Sequence, residues 1–254
     1  MKSALVRLIG FPATLVHGDT LILDRWLWLR RHLQPVPACS GSLIDVGCGT
    51  GAFTIGAARM GYRSLGLSWD TRNQRVAGER AALCKASLAS FEVQDVRSLG
   101  SRTDLKGMFD VAICFECIEH ILNDERLMGE MAACLKPGGK LLLTTPNVSF
   151  RPMLGDGAIS AIEDGGHVRR GYSPDDLRRI SVLAGFEVEA IEYCSGLLSQ
   201  KITSLLRFLL RHLPFVVGWT LILPLRIAPL LFDRVVTALT GWPGYSITLV
   251  ARKR

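Results

Sequence analysis

The chain has 254 residues, seven of them cysteine, with 30 Lys and Arg against 23 Asp and Glu. That length supports one well-buried α/β domain with an elaboration, while an odd cysteine count without framework spacing argues against a disulfide scaffold and for a reducing compartment. Eight basic residues but a single acid, Asp233, fall in 197–254, so 22 of each sign remain in 1–196 and the whole net charge of +7 belongs to the last 58 residues.

In chain order, the first apolar stretch is broken by Arg7, Pro12, His17 and Asp19 and does not read as a secretory signal. Residues 1–40 are expected to form an N-terminal helical cap. Within it, Asp19 to His32 predicts a helix whose Leu21, Leu23, Trp26 and Leu29 lie over the mouth of a ligand site. The run Leu43-Ile44-Asp45-Val46-Gly47-Cys48-Gly49-Thr50-Gly51-Ala52-Phe53 follows: an apolar strand, an acid, then alternating glycines before a helix. Those glycines let the backbone turn sharply and approach a ligand that a Cβ would exclude. Asp45 stands where a carboxylate can meet a cationic amino group. Gly47, Gly49 and Ala52 also fit a relaxed dinucleotide fingerprint, so this segment alone admits two kinds of cofactor.

Four more segments follow. Gly66-Leu67-Ser68-Trp69-Asp70 closes a second strand, Phe91-Glu92-Val93-Gln94-Asp95-Val96 a third, and Phe109 to Cys114 forms a fourth. Leu135-Lys136-Pro137-Gly138-Gly139-Lys140 is a turn before a fifth strand, Leu141 to Thr145. From about Ser42 to Tyr193 this series resembles the motifs of the class I methyltransferases, which use S-adenosylmethionine (SAM), and Tyr245 to Ala251 is similar to their last strand. A hydride-transferring Rossmann enzyme would need neither the Lys-Pro-Gly-Gly turn nor Asp95.

The resemblance implies that Asp95 accepts from the adenine amino group and that the cofactor lies among Asp45, Gly47, Cys48, Gly49, Gly51, Ser68, Asp70, Asn73, Asp95, Val96 and Phe115. One departure stands out: the usual ribose-binding carboxylate is Ser68 here, with Asp70 two residues on. The Gly66–Gln74 segment is more similar to the lipid cyclopropane synthases.

After the fourth strand comes Glu116-Cys117-Ile118-Glu119-His120-Ile121. At helical spacing Glu116, Glu119 and His120 would share one face at the carboxyl edge of the sheet. Glu163-Asp164-Gly165-Gly166-His167 adds an imidazole on a glycine loop. Glu116, Glu119, His120 and His167 could together hold Mg²⁺ or Mn²⁺. The pattern resembles the ubiquinone-pathway O-methyltransferases and the small-RNA terminal-ribose methyltransferases, in which the metal's implied role is to acidify the attacked hydroxyl. The metal-free alternative makes His120 or His167 a general base, with Glu119 beside them. Cys114 and Cys117 form a lone Cys-x-x-Cys, expected to be packed and inert.

Ser173-Pro174-Asp175-Asp176 starts a helix that ends at Gly185, and Phe186 to Tyr193 reads as a sixth strand. About 50 residues then precede the last strand. In Leu197 to Leu213, Gln200, Thr203, Ser204, Arg207 and Arg211 recur at helical spacing opposite Leu198, Ile202, Leu205, Leu206, Leu209 and Leu213. The uncharged run 213–225 is shorter than the roughly 20 residues a spanning helix needs. Arginines and tryptophans flanking the apolar segments favour interfacial attachment through residues 197–240 to anionic lipid. The alternative is a helical hairpin packed on the sheet or forming a dimer interface. Basic residues alternating with Leu and Ile, with few aromatics, disfavour nucleic acid.

The expected architecture is α/β: a Rossmann-like, seven-stranded, mostly parallel sheet with helices on both faces and a helical insertion between strands six and seven. The core would occupy 41–195, the insertion 196–242 and the last strand 243–254. The expected function is SAM-dependent methylation of a hydroxyl on a lipid-linked sugar or polyprenylated phenol, by a cytoplasmic protein peripheral on the membrane. C-methylation of a lipid chain and a catalytically inactive SAM-binding scaffold are the alternatives, and the sequence does not fix the oligomeric state.

Overall fold

The protein is described by a computed structural model over residues 4–16, 21–154 and 156–254. Seven strands, β1 (Gly41–Val46), β2 (Tyr62–Ser68), β3 (Ala89–Val93), β4 (Phe109–Phe115), β5 (Leu135–Pro146), β6 (Phe186–Cys194) and β7 (Ser246–Lys253), form one sheet in the order 3-2-1-4-5-7-6. β1 pairs in parallel with β2 and β4, and β7 runs antiparallel between β5 and β6. Strand order reverses between β1 and β4, which opens a crevice at their carboxyl ends where open α/β sheets bind ligands.

Successive strand residues face opposite sides of the sheet. Ile44, Val46, Ala112 and Cys114 therefore pack on one side, with Leu127, Met128 and Met131 of α6 (Asp124–Cys134) and Leu177 and Ile180 of α7 (Pro174–Leu183). Leu43, Val111 and Ile113 pack on the other, with Trp26, Trp28 and Leu29 of α3 (Leu21–His32) and Ala52 and Ala57 of α4 (Ala52–Arg59). Two short helices, α1 (Ala4–Ile9) and α2 (Pro12–Val16), precede α3, and α5 (Thr71–Leu83) follows β2. Asp19, the expected start of the α3 helix, lies outside the described residues. Ser173 and Asp176 close a reciprocal capping box with Pro174 in the first turn, so the start of α7 is where its local chemistry puts it. Pairing jumps from Phe109–Leu135 to Val111–Lys140, and the Lys-Pro-Gly-Gly residues loop out of the ladder with Gly138 at φ +73°.

Between β6 and β7 the chain forms α8 (Leu197–His212), α9 (Phe215–Ile222) and α10 (Ile227–Thr240). Pro214 precedes α9, and a short 3-10 turn at Pro224–Arg226 joins α9 to α10. Asp233 of α10 accepts from the Gly196 and Leu198 backbone N–H groups and so caps α8. Ile202, Leu206, Trp219 and Ile222 form a small core for the insertion, yet no residue of α10 is buried. Among the described residues no single helix is long and apolar enough to cross a membrane; α9 with the segment Pro224–Thr240 would pass by length and composition as a pair bent by 44°.

Candidate active site

Three glycines after β1 take left-handed φ values, Gly47 +87°, Gly49 +51° and Gly51 +78°. They are needed for different reasons. A Cβ on Gly47 would lie 2.5 Å from Cys117 Sγ, and one on Gly51 would lie 2.7 Å from the Phe91 ring. At Gly49, among the described residues, no atom comes within 4 Å of that position: a Cβ there would point into open space. That space is a cavity of about 370 Å³ at the β1/β4 crevice, lined on one side by Gly47, Gly49, Ser68, Asn73, Asp95 and Val96. Glu116, Cys117, His120 and Glu163 line the other side.

The other residues expected at the cofactor stand back from this wall. Asp45 is 1% exposed and accepts from Thr54 Oγ1 at 2.6 Å. Cys48 turns its Sγ toward Gln74, and Phe115 packs edge-on against Trp28 and Phe53 in the core. Asp70 is the N-cap of α5, its Oδ1 accepting from the Arg72 and Asn73 backbone N–H groups. Its carboxylate is spent on the helix, leaving Ser68 and Asn73 as the polar groups of that strand end on the cavity. Asp95 lines the cavity with its carboxylate held by Arg97, whose guanidinium also reaches Glu163 Oε2 at 2.9 Å. That ion pair ties the glycine loop to the cofactor side.

Glu116 does not join the expected ligand set. The segment after β4 is no α-helix: Glu116 sits at φ +50° and only one 3-10 turn, Ile118–His120, follows. The four-residue helical spacing therefore does not apply. Glu116 Oε2 pairs with Arg25 Nη2 at 2.9 Å, while Oε1 accepts from the hydroxyls of Thr144 and Ser246, each at 3.0 Å. Arg25 comes from α3, and its position in the apolar stripe of that helix, four residues after Leu21, was the one sequence sign of a buried role.

Glu119, His120 and His167 do converge, with one possible ligand atom from each lying within 4.8 Å of the others. Glu119 is fully buried; its Oε2 accepts from Thr145 Oγ1 at 3.0 Å, and its Oε1 has no hydrogen-bond partner among the described residues. His120 Nδ1 lies 3.0 Å from the Gly166 carbonyl oxygen, and its ring meets that of His167 edge-on at 4.7 Å. The Val168 N–H donates to the Glu119 carbonyl, which pins the glycine loop to the 3-10 turn. Burial, then the nearby Glu116, pushes the Glu119 carboxyl well above the usual range. Burial, then His120, holds the His167 imidazole below its ordinary value, so it stays neutral near pH 7 with a lone pair to offer.

A family model described as a methyltransferase domain matches residues 25–191, which include both walls of this cavity. The chain belongs to the class I SAM-dependent methyltransferases. Among curated relatives, the ubiquinone biosynthesis O-methyltransferase of Coxiella burnetii is 31% identical over 112 residues, 44% of this chain and 46% of that protein. The enzyme of the same name from Xanthomonas axonopodis pv. citri is 31% identical over 120 residues, 47% and 48% of the two chains. The chain thus spans about half the length of the curated relatives it matches. A SAM-dependent methyltransferase from Mesorhizobium loti shares the fold with a TM-score of 0.58 at 18% identity, over 94% of this chain and all of that one. A geranyl diphosphate C-methyltransferase from Streptomyces coelicolor A3(2) shares it with 0.59 at 17%, over 91% and 75%. At such identities these two speak for the fold alone.

In this methyltransferase the buried Asp45 carries a pH signature. Burial pushes its carboxyl up to about 7, the Thr54 hydrogen bonds pulling the other way. An unfolded Asp ionises near 4, so between about pH 4 and 7 the folded chain keeps a proton the unfolded chain has released, and stability falls as pH rises through that window. Asp45→Asn removes this loss. Without SAM, its melting temperature should exceed that of the wild type at pH 8, by the equivalent of about 2–4 kcal/mol, and the gap should close at pH 4. Thermal melts at both pH values check this.

Proposed function

We propose that the protein transfers the methyl group of SAM to a hydroxyl of a lipid-linked sugar or polyprenylated phenol at an anionic membrane surface, as a cytoplasmic, peripherally attached enzyme. The observation that carries the O-methylation reading is the Glu119–His120–His167 cluster beside the cofactor cavity. The names of the curated relatives point the same way.

SAM supplies a methyl already activated on a sulfonium sulfur. The protein's part is alignment and proton removal. Gly49 leaves room for the cofactor, while Ser68, Asn73 and Asp95 offer its polar groups partners. The acceptor hydroxyl stands between cofactor and cluster; its oxygen takes the methyl carbon, the sulfur keeps the bonding pair, and the proton passes to His120 or His167. Arg25 pairs with the neighbouring Glu116 and keeps that side chain out of the cluster.

The same three side chains fit a divalent cation. Glu119 Oε1 is a buried oxygen without a donor, a costly state that a cation relieves, and two imidazoles suit Mn²⁺ better than Mg²⁺. Glu119, His120 and His167 would hold it, and it would lower the pKa of a bound hydroxyl.

Labelled SAM and a membrane extract test the assignment: label should enter a lipid fraction as an O-methyl group, and label on carbon would overturn O-methylation. For the metal, excess chelator should suppress turnover and Mn²⁺ or Mg²⁺ restore it. Glu119→Ala should lose activity by about a hundredfold or more yet bind SAM within about twofold of wild type. Full turnover in excess chelator leaves the histidines as the base.

The exposed apolar residues of α9 and α10, with the positive charge concentrated in 197–254, support the membrane reading. One expectation from sequence needs revision. Leu206 is 3% exposed within the insertion, and Arg207 pairs with Asp156 at 2.7 Å, so neither belongs to a lipid-facing side of α8. Val216 and Leu221 of α9 and Leu231, Phe232, Val235 and Leu239 of α10 are among the most exposed apolar residues of these helices; Leu205 and Phe208 of α8 are also exposed, at 39% and 49%.

A further inference from the structure

Trp242, between α10 and β7, is fixed by a hydrogen bond of its own. Its Nε1 donates to Gln200 Oε1 at 3.1 Å, and the Gln200 amide donates in turn to the Ser195 and Pro243 carbonyls. Gln200 is 2% exposed, so the indole stands on a buried base. Two cations lie over that indole: the Arg151 guanidinium carbon 4.2 Å from the ring centroid and Lys201 Nζ at 4.7 Å. Both residues are exposed, and among the described residues neither has a carboxylate partner. An aromatic face holds a cation through its quadrupole and takes up none of the N–H donors.

The acids of this region are engaged elsewhere. Asp156 pairs with Arg207 and accepts from the Met153 N–H; Asp233 caps α8. Glu192 accepts from Trp28 and lies against His32, and Asp24 has Ser195, Ser199 and Arg25 beside it. Arg151 and Lys201 therefore keep free donors while their like charges repel each other across one ring. A multivalent oxyanion between them answers both the donors and the repulsion.

Trp242 also lines a groove of about 880 Å³ between α3, the end of β6 and α10. Leu27, Leu230, Ala238 and Pro243 give that groove apolar walls, and the cations on it are Arg31 and Arg234. Arg151 belongs to the segment that leaves the carboxyl end of β5, the edge of the sheet that carries the Glu119–His120–His167 cluster. Its neighbour Phe150 accepts from Arg170 Nη2 at 2.9 Å, three residues beyond His167. An anion on Trp242 is thus set between the groove and the loop that carries a catalytic imidazole.

We infer that Arg151 and Lys201, held on Trp242, bind the phosphate or diphosphate of an amphiphile whose apolar chain lies in the adjoining groove. This rests on the lipid-borne acceptor proposed above and narrows it to a phosphate-linked chain, since a polyprenylated phenol has no such group. The guanidinium offers two parallel N–H donors to phosphate oxygens and the ammonium a compact charge, so the pair suits an oxyanion better than a neutral hydroxyl.

The test uses the full chain at constant ionic strength with three probes: farnesyl diphosphate below its micellar concentration, farnesol, and inorganic diphosphate. Binding is read by calorimetry and by tryptophan fluorescence. Farnesyl diphosphate should bind about tenfold tighter or better than either of the others, one of which lacks the anion and the other the chain. Arg151→Gln with Lys201→Gln should weaken farnesyl diphosphate about tenfold or more and leave farnesol within about twofold. Arg63→Gln with Lys106→Gln removes the same two charge types from the amino-end edge of the sheet and should leave all three probes within about twofold. Ala238→Trp should fill the groove and weaken farnesyl diphosphate about tenfold or more while sparing inorganic diphosphate. SAM affinity should be unchanged in every variant. Because binding is read without turnover, label found on carbon in the methylation assay would sink O-methylation and leave this site standing. Equal affinity for farnesol and farnesyl diphosphate, undiminished binding in the Arg151/Lys201 variant, or an equal loss in the Arg63/Lys106 variant would overturn the anion site. Inorganic diphosphate as tight as farnesyl diphosphate, or undiminished binding of the latter in Ala238→Trp, would overturn the chain's place in the groove.

Discussion

Gly49→Val should abolish SAM binding, by about a hundredfold or more in affinity, while the sheet stays folded. The new side chain enters the cavity at a point where, among the described residues, no atom lies within 4 Å. Nothing among the described residues has to move to admit its Cβ, and the ligand's volume is what the side chain removes. A branched residue at φ +51° costs about 1–2 kcal/mol in backbone strain, which lowers the melting temperature by several degrees without unfolding the domain.

Gly51→Val is the instructive contrast. Its Cβ would meet the Phe91 ring at 2.7 Å and the Ala77 Cβ at 2.9 Å, so it should lower stability much further. Calorimetric titration with SAM alongside thermal melts separates the two outcomes. Unchanged SAM affinity in a folded Gly49→Val variant would remove the cavity from the cofactor's path and with it the proposed chemistry.

This contrast also marks what the sequence could and could not convey. Alternating glycines after an apolar strand announce a tight loop, and the order of the strand-end motifs led to a seven-stranded, mostly parallel sheet, because each motif is local and its spacing survives folding; the strand order 3-2-1-4-5-7-6 is what the structure adds. Which glycine meets ligand and which meets protein depends on Phe91 and Cys117, more than 35 residues away in the chain. Asp70 looked like a ribose partner because it follows a strand end. It is a helix cap because a carboxylate at that position finds two free N–H groups within its own turn.

Glu116 was placed with Glu119 and His120 by assuming helical spacing. A left-handed residue directly after β4 turns it toward Arg25, a partner 91 positions earlier that no local pattern could supply. His120 and His167 were legible as a pair for a simpler reason: each lies beside the carboxyl edge of a strand or on a glycine loop that can reach it. Buried charge pairs with distant partners are the part of such a site that a single sequence hides.

Replacing Leu231, Phe232 and Val235 together by serine should release the protein from anionic vesicles and leave SAM affinity and melting temperature near wild type. These three are 65%, 55% and 58% exposed, so the folded chain loses little packing when they change. Fully burying a large apolar side chain is worth about 1.5–3 kcal/mol; at half that depth, three of them account for about 3 kcal/mol, or roughly a hundredfold in membrane partitioning.

The electrostatic share should be smaller than the local excess of charge suggests. Arg207 is tied to Asp156, Arg226 donates to the Val16 carbonyl and lies over the Trp219 ring, and Arg252 pairs with Glu189. Arg211 and Arg234 are exposed cations beside the apolar helices, and Lys201 of α8 is exposed over the Trp242 ring. At about 1 kcal/mol per basic residue near an anionic surface, raising salt should weaken attachment about tenfold to thirtyfold without abolishing it. The apolar term does not respond to screening. Vesicle flotation at low and high salt measures both terms. Wild-type protein that stays at the bottom of the gradient with anionic lipid would make the α9–α10 face a contact for another protein chain, and methylation of a membrane-borne acceptor would lose its physical support.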